Sequence, residues 1–381
     1  MLQKSISILI VIGSIIIFNS CGSITTVTAL STVGTAAASK VIEHQIGYGI
    51  RTPQTIIEQV MPSVVTIVSE SHTSRNVPPR QRFTNPREKP ILPQPNNNEF
   101  QSGTGFVIKE DGTVITNYHV VANSIGKADA MLRVLFSNDS VYKAKIFNYD
   151  KLSDIAILKI VNNENKKFPA ITWGDKAKIG SHAIIIGSPI GMDFSVSFGI
   201  VSAVDRIVPD ASPPFVPYVQ TDAAMNRGNS GGPLFDADGG VIGINTLILS
   251  PSSGVDTGSV GLGFAIDGQY AQNIIKRLES GDKIKWSYMG IRYRLLDMEE
   301  TESNNLQFGS NVIIKDVLND GSAYNILKKN DIVQKLDGVV VTHKNFAPMI
   351  AKSKPGTAIE LTVLRDGKEE TLKLILTQRP E

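Results

Sequence analysis

The chain has almost no cysteine, a single residue, Cys21, in 381. A lone thiol cannot close an intrachain disulfide, so a disulfide-stapled secreted scaffold is excluded. Stability has to come from apolar burial, and 41% hydrophobic residues at this length suffice for two domains and extra segments. Histidine is scarce as well, with five residues, and no His-Glu-x-x-His, Cys-x-x-Cys or phosphate-loop pattern occurs. Metal and cofactor dependence therefore find no support, and none is expected. The net charge is only +2 with no concentrated basic face, so nucleic acid is not an expected partner. The N-terminal apolar run, Ile6 to Phe18, is short for a membrane span, which needs ~20 residues.

That run follows Lys4 and precedes Ser20-Cys21-Gly22. A positive start, a short apolar core and small residues around a cysteine read as an export signal over residues 1–21. The cysteine setting resembles a bacterial lipoprotein cleavage site, although Phe18-Asn19 departs from the usual Leu-small-small pattern. Lipidation at Cys21 would give the lone thiol a function, and an uncleaved N-terminal anchor is the alternative. Residues 22–52 are rich in Ser, Thr, Ala and Gly and read as a tether. A helix over Pro53 to Val60 and a strand over Val64 to Val68 open the first folded domain, expected over residues 53–280. Residues 71–100 hold six prolines, several asparagines and few apolar side chains, which predicts a mobile loop.

Beyond the loop, short apolar runs alternate with turns: Gly103 to Ile108, Met131 to Phe136, Ile155 to Ile160, Ala183 to Gly187 and Val241 to Thr246. This spacing predicts a mainly β domain built of barrels. Between two such runs lies Gly228-Asn229-Ser230-Gly231-Gly232-Pro233. Glycines flanking a serine allow a tight loop, close approach of a substrate and successive backbone amides aimed at one point. Taken alone it is a Gly-Ser turn, and it acquires meaning only beside a base and an acid. His119 stands in Thr116-Asn117-Tyr118-His119-Val120-Val121, expected at the end of a strand. Asp154 opens the run from Ile155, with Asp150 a rival acid nearby.

These three segments, in the order His, Asp, Ser, resemble the catalytic motifs of the HtrA (Deg) family of trypsin-like serine proteases; Gln220 to Leu234, QTDAAMNRGNSGGPL, is the most specific. The resemblance implies a chymotrypsin-like double β-barrel followed by one α+β PDZ domain, residues 281–381. It implies Ser230 as nucleophile, His119 as base and Asp154 as orienting acid, the family's Ser-Asp-Ile-Ala segment favouring Asp154 over Asp150. It further implies an oxyanion hole from the amides of Gly228 and Ser230, with Asn229 as a further donor. Ala224, six residues before Ser230, stands where trypsin-like enzymes place the base of the specificity pocket. No acid is there, so cleavage after Lys or Arg is not expected; Asn245, Leu247 and Gly263 match other pocket positions, and small or medium aliphatic residues should be accepted. Arg206 matches the family's sensor-loop arginine, and Arg227 is common in one branch of the family.

Tyr288-Met289-Gly290-Ile291 stands where the family's PDZ domain has its carboxylate-binding loop. The stretch from Gly321 to Asp331 is shorter than the usual PDZ helix region and lacks its proline. The resemblance thus implies a quality-control endopeptidase of the bacterial envelope, periplasmic or surface-facing and anchored at its N-terminus. It would act on unfolded proteins, bind C-terminal peptides and assemble as a trimer or larger oligomer. The alternative is a chaperone or peptide-sensing scaffold with low turnover; the complete His-Asp-Ser set favours the enzyme.

Overall fold

A computed structural model describes residues 7–11, 14–18, 24–27, 52–72, 98–127, 130–162, 164–188, 194–208, 215–248 and 261–380. The chain divides into two units, Met1–Thr52 and Pro53–Glu381. In the first, β1 (Ser7–Val11), β2 (Ser14–Phe18) and β3 (Ile24–Val27) pair antiparallel in that order. The Ile-rich run expected as a signal core is thus extended, as its β-branched residues favour. Cys21 lies outside the described residues. Among the described residues no helix is long and apolar enough to cross a membrane.

The second unit opens with α1 (Pro53–Val60), whose proline sits where a helix needs no donor and whose Ile56 and Val60 bury one face. Two closed barrels follow. The first uses β4 (Val64–His72), β5 (Asn98–Lys109), β6 (Thr113–Thr116), β7 (Met131–Phe136), β8 (Val141–Asp150) and β9 (Ile155–Ile160). The second uses β10 (His182–Gly187), β11 (Ser195–Arg206), β12 (Tyr218–Thr221), β13 (Pro233–Phe235), β14 (Val241–Ile248) and β15 (Gly263–Asp267). Their strand orders, β4-β5-β6-β9-β8-β7 and β10-β11-β12-β15-β14-β13, are the same path drawn twice. Residues 71, 72 and 98–100, expected within the mobile loop, belong to strands: backbone pairing of β4 with β5 continues to His72 opposite Asn98. Ladder hydrogen bonds need no apolar side chain, so a polar composition does not end a strand. Residues 73–97 lie outside the described residues.

Alternation explains the barrels' apolar runs. In β9, Ala156, Leu158 and Ile160 fill the first barrel, while Ile155 and Ile157 face out into a second core. In β10, Ala183 and Ile185 fill the second barrel, while Ile184 and Ile186 turn to the same shared core. Both faces of these strands are buried, so they read as continuous apolar segments and not as alternating ones. The shared core holds the barrels together. It also takes in Ala271, Ile274, Ile275 and Leu278 of α2 (Gly268–Glu279), capped at its start by Asp267 accepting from the Tyr270 amide.

The last part is a six-stranded sheet whose main path runs β17 (Ile291–Leu295), β18 (Val312–Val317), β19 (Ile332–Leu336), β21 (Ala358–Arg365) and β22 (Lys368–Ile375), in that spatial order. A strand β16 (Ser287–Tyr288) pairs with β23 (Thr377–Gln378), and β20 (Val339–Val340) pairs with β19. Helix α3 (Met298–Ser303) is closed by a capping box of Asp297 and Glu300, and α4 (Phe346–Lys352) covers the sheet's core. The stretch from Gly321 to Asp331 is a series of turns. Ala347 and Ala351 of α4, with Trp286, belong to the core that the two barrels share.

Candidate active site between the barrels

Of the three residues singled out by pattern, His119 and Asp154 meet on the first barrel and Ser230 stands on the second. His119 is not on a strand: after β6 the chain turns at Asn117 into a one-turn helix, Tyr118–Val121, that carries the imidazole. The reason is burial of Val120 and Val121, which a helical turn directs into the first barrel. Asp154 closes the four-residue connection from β8 to β9, with φ of 56°. Its carboxylate grips His119 twice, one oxygen accepting from the backbone N–H at 2.9 Å and the other lying 2.7 Å from Nδ1. Its carbonyl accepts from the Tyr118 amide at 3.1 Å and from Asn117 Nδ2 at 2.9 Å. The Asp154 side chain is 16% exposed and that of His119 44% exposed, so the acid is shielded while the base faces solvent. Asp154's charge, added to burial, pushes the Tyr218 phenol above its ordinary range. Asp150 lies elsewhere: its carboxylate accepts from the Ser153 amide and from the Trp286 indole.

Ser230 arrives from the second barrel on the loop before β13, and Thr104 of β5 holds it there. The Thr104 amide donates to the Ser230 carbonyl at 2.9 Å, and its hydroxyl donates to the Gly228 carbonyl at 2.6 Å while accepting from the Ser188 amide at 3.0 Å. Asn245 of β14 clamps the other flank. Its carbonyl accepts from Gly231, its amide donates to Gly232, and its side chain donates to Pro233. Asn117 Nδ2 also reaches Thr246 at 3.2 Å, a further tie between barrels. The roles of Thr104 and Asn117 escaped the sequence reading. Gly103-Thr104-Gly105 carried the signal, since flanking glycines mark close backbone approach.

The turn from Asn226 to Asn229 is closed by the Asn229 amide donating to the Asn226 carbonyl at 3.1 Å, with Gly228 at φ of 100°. A positive φ at the third position defines a type II turn and requires glycine. The Asn229 amide, expected among the oxyanion donors, is committed to this turn. Of the expected pocket residues, Asn245 is fully buried as a clamp on the serine loop. Ala224 is exposed, with its carbonyl accepting from Ser197 Oγ. Leu247 and Gly263 lie on β14 and β15, and buried Met225 packs against Gly263. Arg206 ends β11, and its charge, after burial and Lys344, contributes to holding His343 of the last domain below its usual imidazole value. Gly290 packs on Gly321, and the carbonyls of Met289 and Gly290 accept from Ala323 and Leu318, so the Tyr288-to-Ile291 segment is braced from behind.

Paired six-stranded barrels with a His–Asp pair on one and a glycine-flanked serine on the other define a trypsin-like peptidase fold, here followed by a PDZ domain. Comparison with known proteins gives the same result. Residues 103–244 match the trypsin-like peptidase domain and residues 287–376 the PDZ domain. A probable periplasmic serine endoprotease DegP-like of Ectopseudomonas mendocina is 35% identical over 347 residues, 86% of this chain and 70% of that one. Its counterpart in Pseudomonas fulva is 37% identical over 282 residues, 73% of this chain and 56% of that one. The chain thus spans little more than half the length of some curated relatives. Among solved structures, the HtrA-type protease AlgW with a decapeptide superposes with TM-score 0.67 at 29% identity, covering 87% of this chain and 99% of that one. The chain belongs to the HtrA (Deg) family.

Gly231 tests the site's construction. It has φ of 82°, and a Cβ there would lie 2.1 Å from Thr116 Oγ1 and 2.4 Å from the Thr104 carbonyl. Gly231→Ala should move Ser230 and lower turnover by about a hundredfold, as ångström misplacement does. Wild-type rates with the variant would contradict this geometry.

Proposed function

We propose that the protein is an envelope-anchored serine endopeptidase of protein quality control that cleaves unfolded proteins through Ser230, His119 and Asp154. The observation that supports it most is the double hold of Asp154 on His119 beside a serine loop pinned by Thr104. In the reaction, His119 removes the Ser230 proton as Oγ bonds to the peptide carbonyl carbon. His119 then passes that proton to the leaving amine as the C–N bond breaks. Water, deprotonated by the same imidazole, releases the acyl group and restores the serine. Asp154 fixes the tautomer in which Nδ1 carries hydrogen and stabilises the imidazolium. The Gly228 and Ser230 amides hold the oxyanion, each donor of this type lowering the barrier by ~3 kcal/mol. With Ala224 and no acid at the pocket base, peptide products should end in Val, Ala or Leu.

Turnover of casein by the purified protein tests this. Ser230→Ala and His119→Ala should abolish it with the fold intact, and Asp154→Asn should lower it by ~10⁴ through the wrong tautomer. Undiminished cleavage by the Ser230 variant, or products ending chiefly in Lys and Arg, would reject the assignment. A chaperone or scaffold would show no turnover in the wild type either.

Regulation by the PDZ domain is part of the same proposal. A peptide carboxylate bound at the Met289 and Gly290 amides would be relayed through Arg206 to the serine loop, within oligomers built from the protease domains. Tenfold activation requires only ~1.4 kcal/mol of preference for the active loop. Hydrophobic C-terminal peptides should therefore raise reporter cleavage, and Arg206→Ala should blunt the rise without weakening peptide binding. Unchanged turnover at saturating peptide would make the domain a tether.

Anchoring rests on the apolar run that ends before Cys21. The mature protein should begin at a lipidated Cys21 facing the periplasm or cell exterior. A mass spectrum of the membrane-extracted protein showing intact Met1 or an unmodified Cys21 would reject it.

A further inference from the structure

Asp150 is buried, at 8% exposure, and its carboxylate oxygens are held by Ser153 and Trp286. It is the last residue of β8 and lies opposite Ile155, so it starts the four-residue connection that ends in Asp154. One carboxylate oxygen accepts from the Ser153 amide at 2.6 Å, closing the turn immediately before the acid. The other accepts from Trp286 Nε1 at 3.0 Å. Trp286 precedes the first PDZ strand, and its carbonyl accepts from the Arg379 amide at the far end of that domain. Its ring is buried against Phe215, centroids 4.5 Å apart, in the core that also includes Ala347 and Ala351 of α4. The backbone of this tryptophan thus belongs to the PDZ domain, while its N–H serves the turn of the catalytic acid.

A buried carboxylate that lost this donor would be left short of a hydrogen bond and would turn toward another partner. Tyr270 of α2 is near: Asp150's charge, after burial, pushes its phenol up. Among the described residues its hydroxyl has no hydrogen-bond partner. Rotation of Asp150 toward it would release the Ser153 amide. Asp154, strained at φ of 56°, would then lose the brace before it.

We infer that Asp150 and Trp286 form a positioning pair for the catalytic acid: the PDZ-borne indole holds Asp150, and Asp150 holds the turn that aims Asp154 at His119. The inference rests on the proposed peptidase activity. It makes the PDZ domain a structural part of the His–Asp pair, separate from the relay proposed through Arg206.

The test compares full-length wild type with Trp286→Phe, which keeps an aromatic ring against Phe215 but removes the donor, with Asp150→Asn, and with the double variant. Active sites are counted by stoichiometric labelling with an organophosphorus reagent, and kcat and KM on a peptide reporter are expressed per labelled site. Trp286→Phe should lower kcat per site about tenfold at unchanged KM. The double variant should be no slower than Asp150→Asn, because both changes remove one interaction. A packing defect alone would instead reduce the number of labelled sites at constant kcat, which would overturn the inference. Wild-type kcat in both single variants, or losses that multiply in the double variant, would overturn it too. Wild type that neither labels nor turns over would overturn the parent reading and this one with it.

Discussion

Ser230 belongs to one barrel and His119 and Asp154 to the other, so the site depends on how the barrels are held together. Thr104 does the local part of this. Three of its hydrogen bonds, to Ser230, Gly228 and Ser188, cross between barrels within one residue. Its hydroxyl is fully buried, where an unpaired partner would cost about 1–3 kcal/mol. The larger part is the apolar core formed by the outward faces of both barrels, in which Phe106, Ile115 and Ile157 meet Ile184, Ile186 and Phe235. The core fixes the distance between barrels, and the threonine fixes the register of the serine loop against the base.

This arrangement explains why so much of the fold was legible. A strand buried on both faces writes a continuous apolar run, and the runs at Ile155 to Ile160 and Ala183 to Gly187 stand out for that reason. The glycine-flanked serine and the acid before an apolar strand were equally plain, because backbone constraint limits which residues can stand there.

What the sequence concealed depends on partners distant along the chain. His119 looked like a strand-end residue because its segment follows an apolar run and the turn at Asp111-Gly112; contact with the first barrel's interior makes that segment helical. Asn245 was assigned to a pocket wall from its place in a motif. Its side chain serves Pro233, twelve residues upstream, and nothing local announces this. The Asn229 amide could not be assigned from pattern either, since the turn from Asn226 decides where it points. In the PDZ domain, the helix that packs on the barrels is Phe346–Lys352, while the shortened stretch after Gly321 forms only turns. Only two alanines of that helix reach the shared core, too weak a signature to read without the fold.

Those two alanines and Trp286 change how the domains should be regarded. Two domains tethered by a linker behave independently unless an apolar interface makes their relative position part of folding. Here the core that joins the barrels continues into the PDZ domain, and polar contacts sit on its margins. Trp286 donates to Asp150 beside the acid's turn, and the charge of Arg206 is felt at His343. A net hydrogen bond is worth about 1 kcal/mol, and couplings between sites are typically 1–3 kcal/mol. Exchange of one or two such contacts therefore matches the energy that regulation requires. In the proposed enzyme long-range conformational machinery would be unnecessary, because Trp286 already supplies a hydrogen bond to Asp150, beside the turn that carries Asp154.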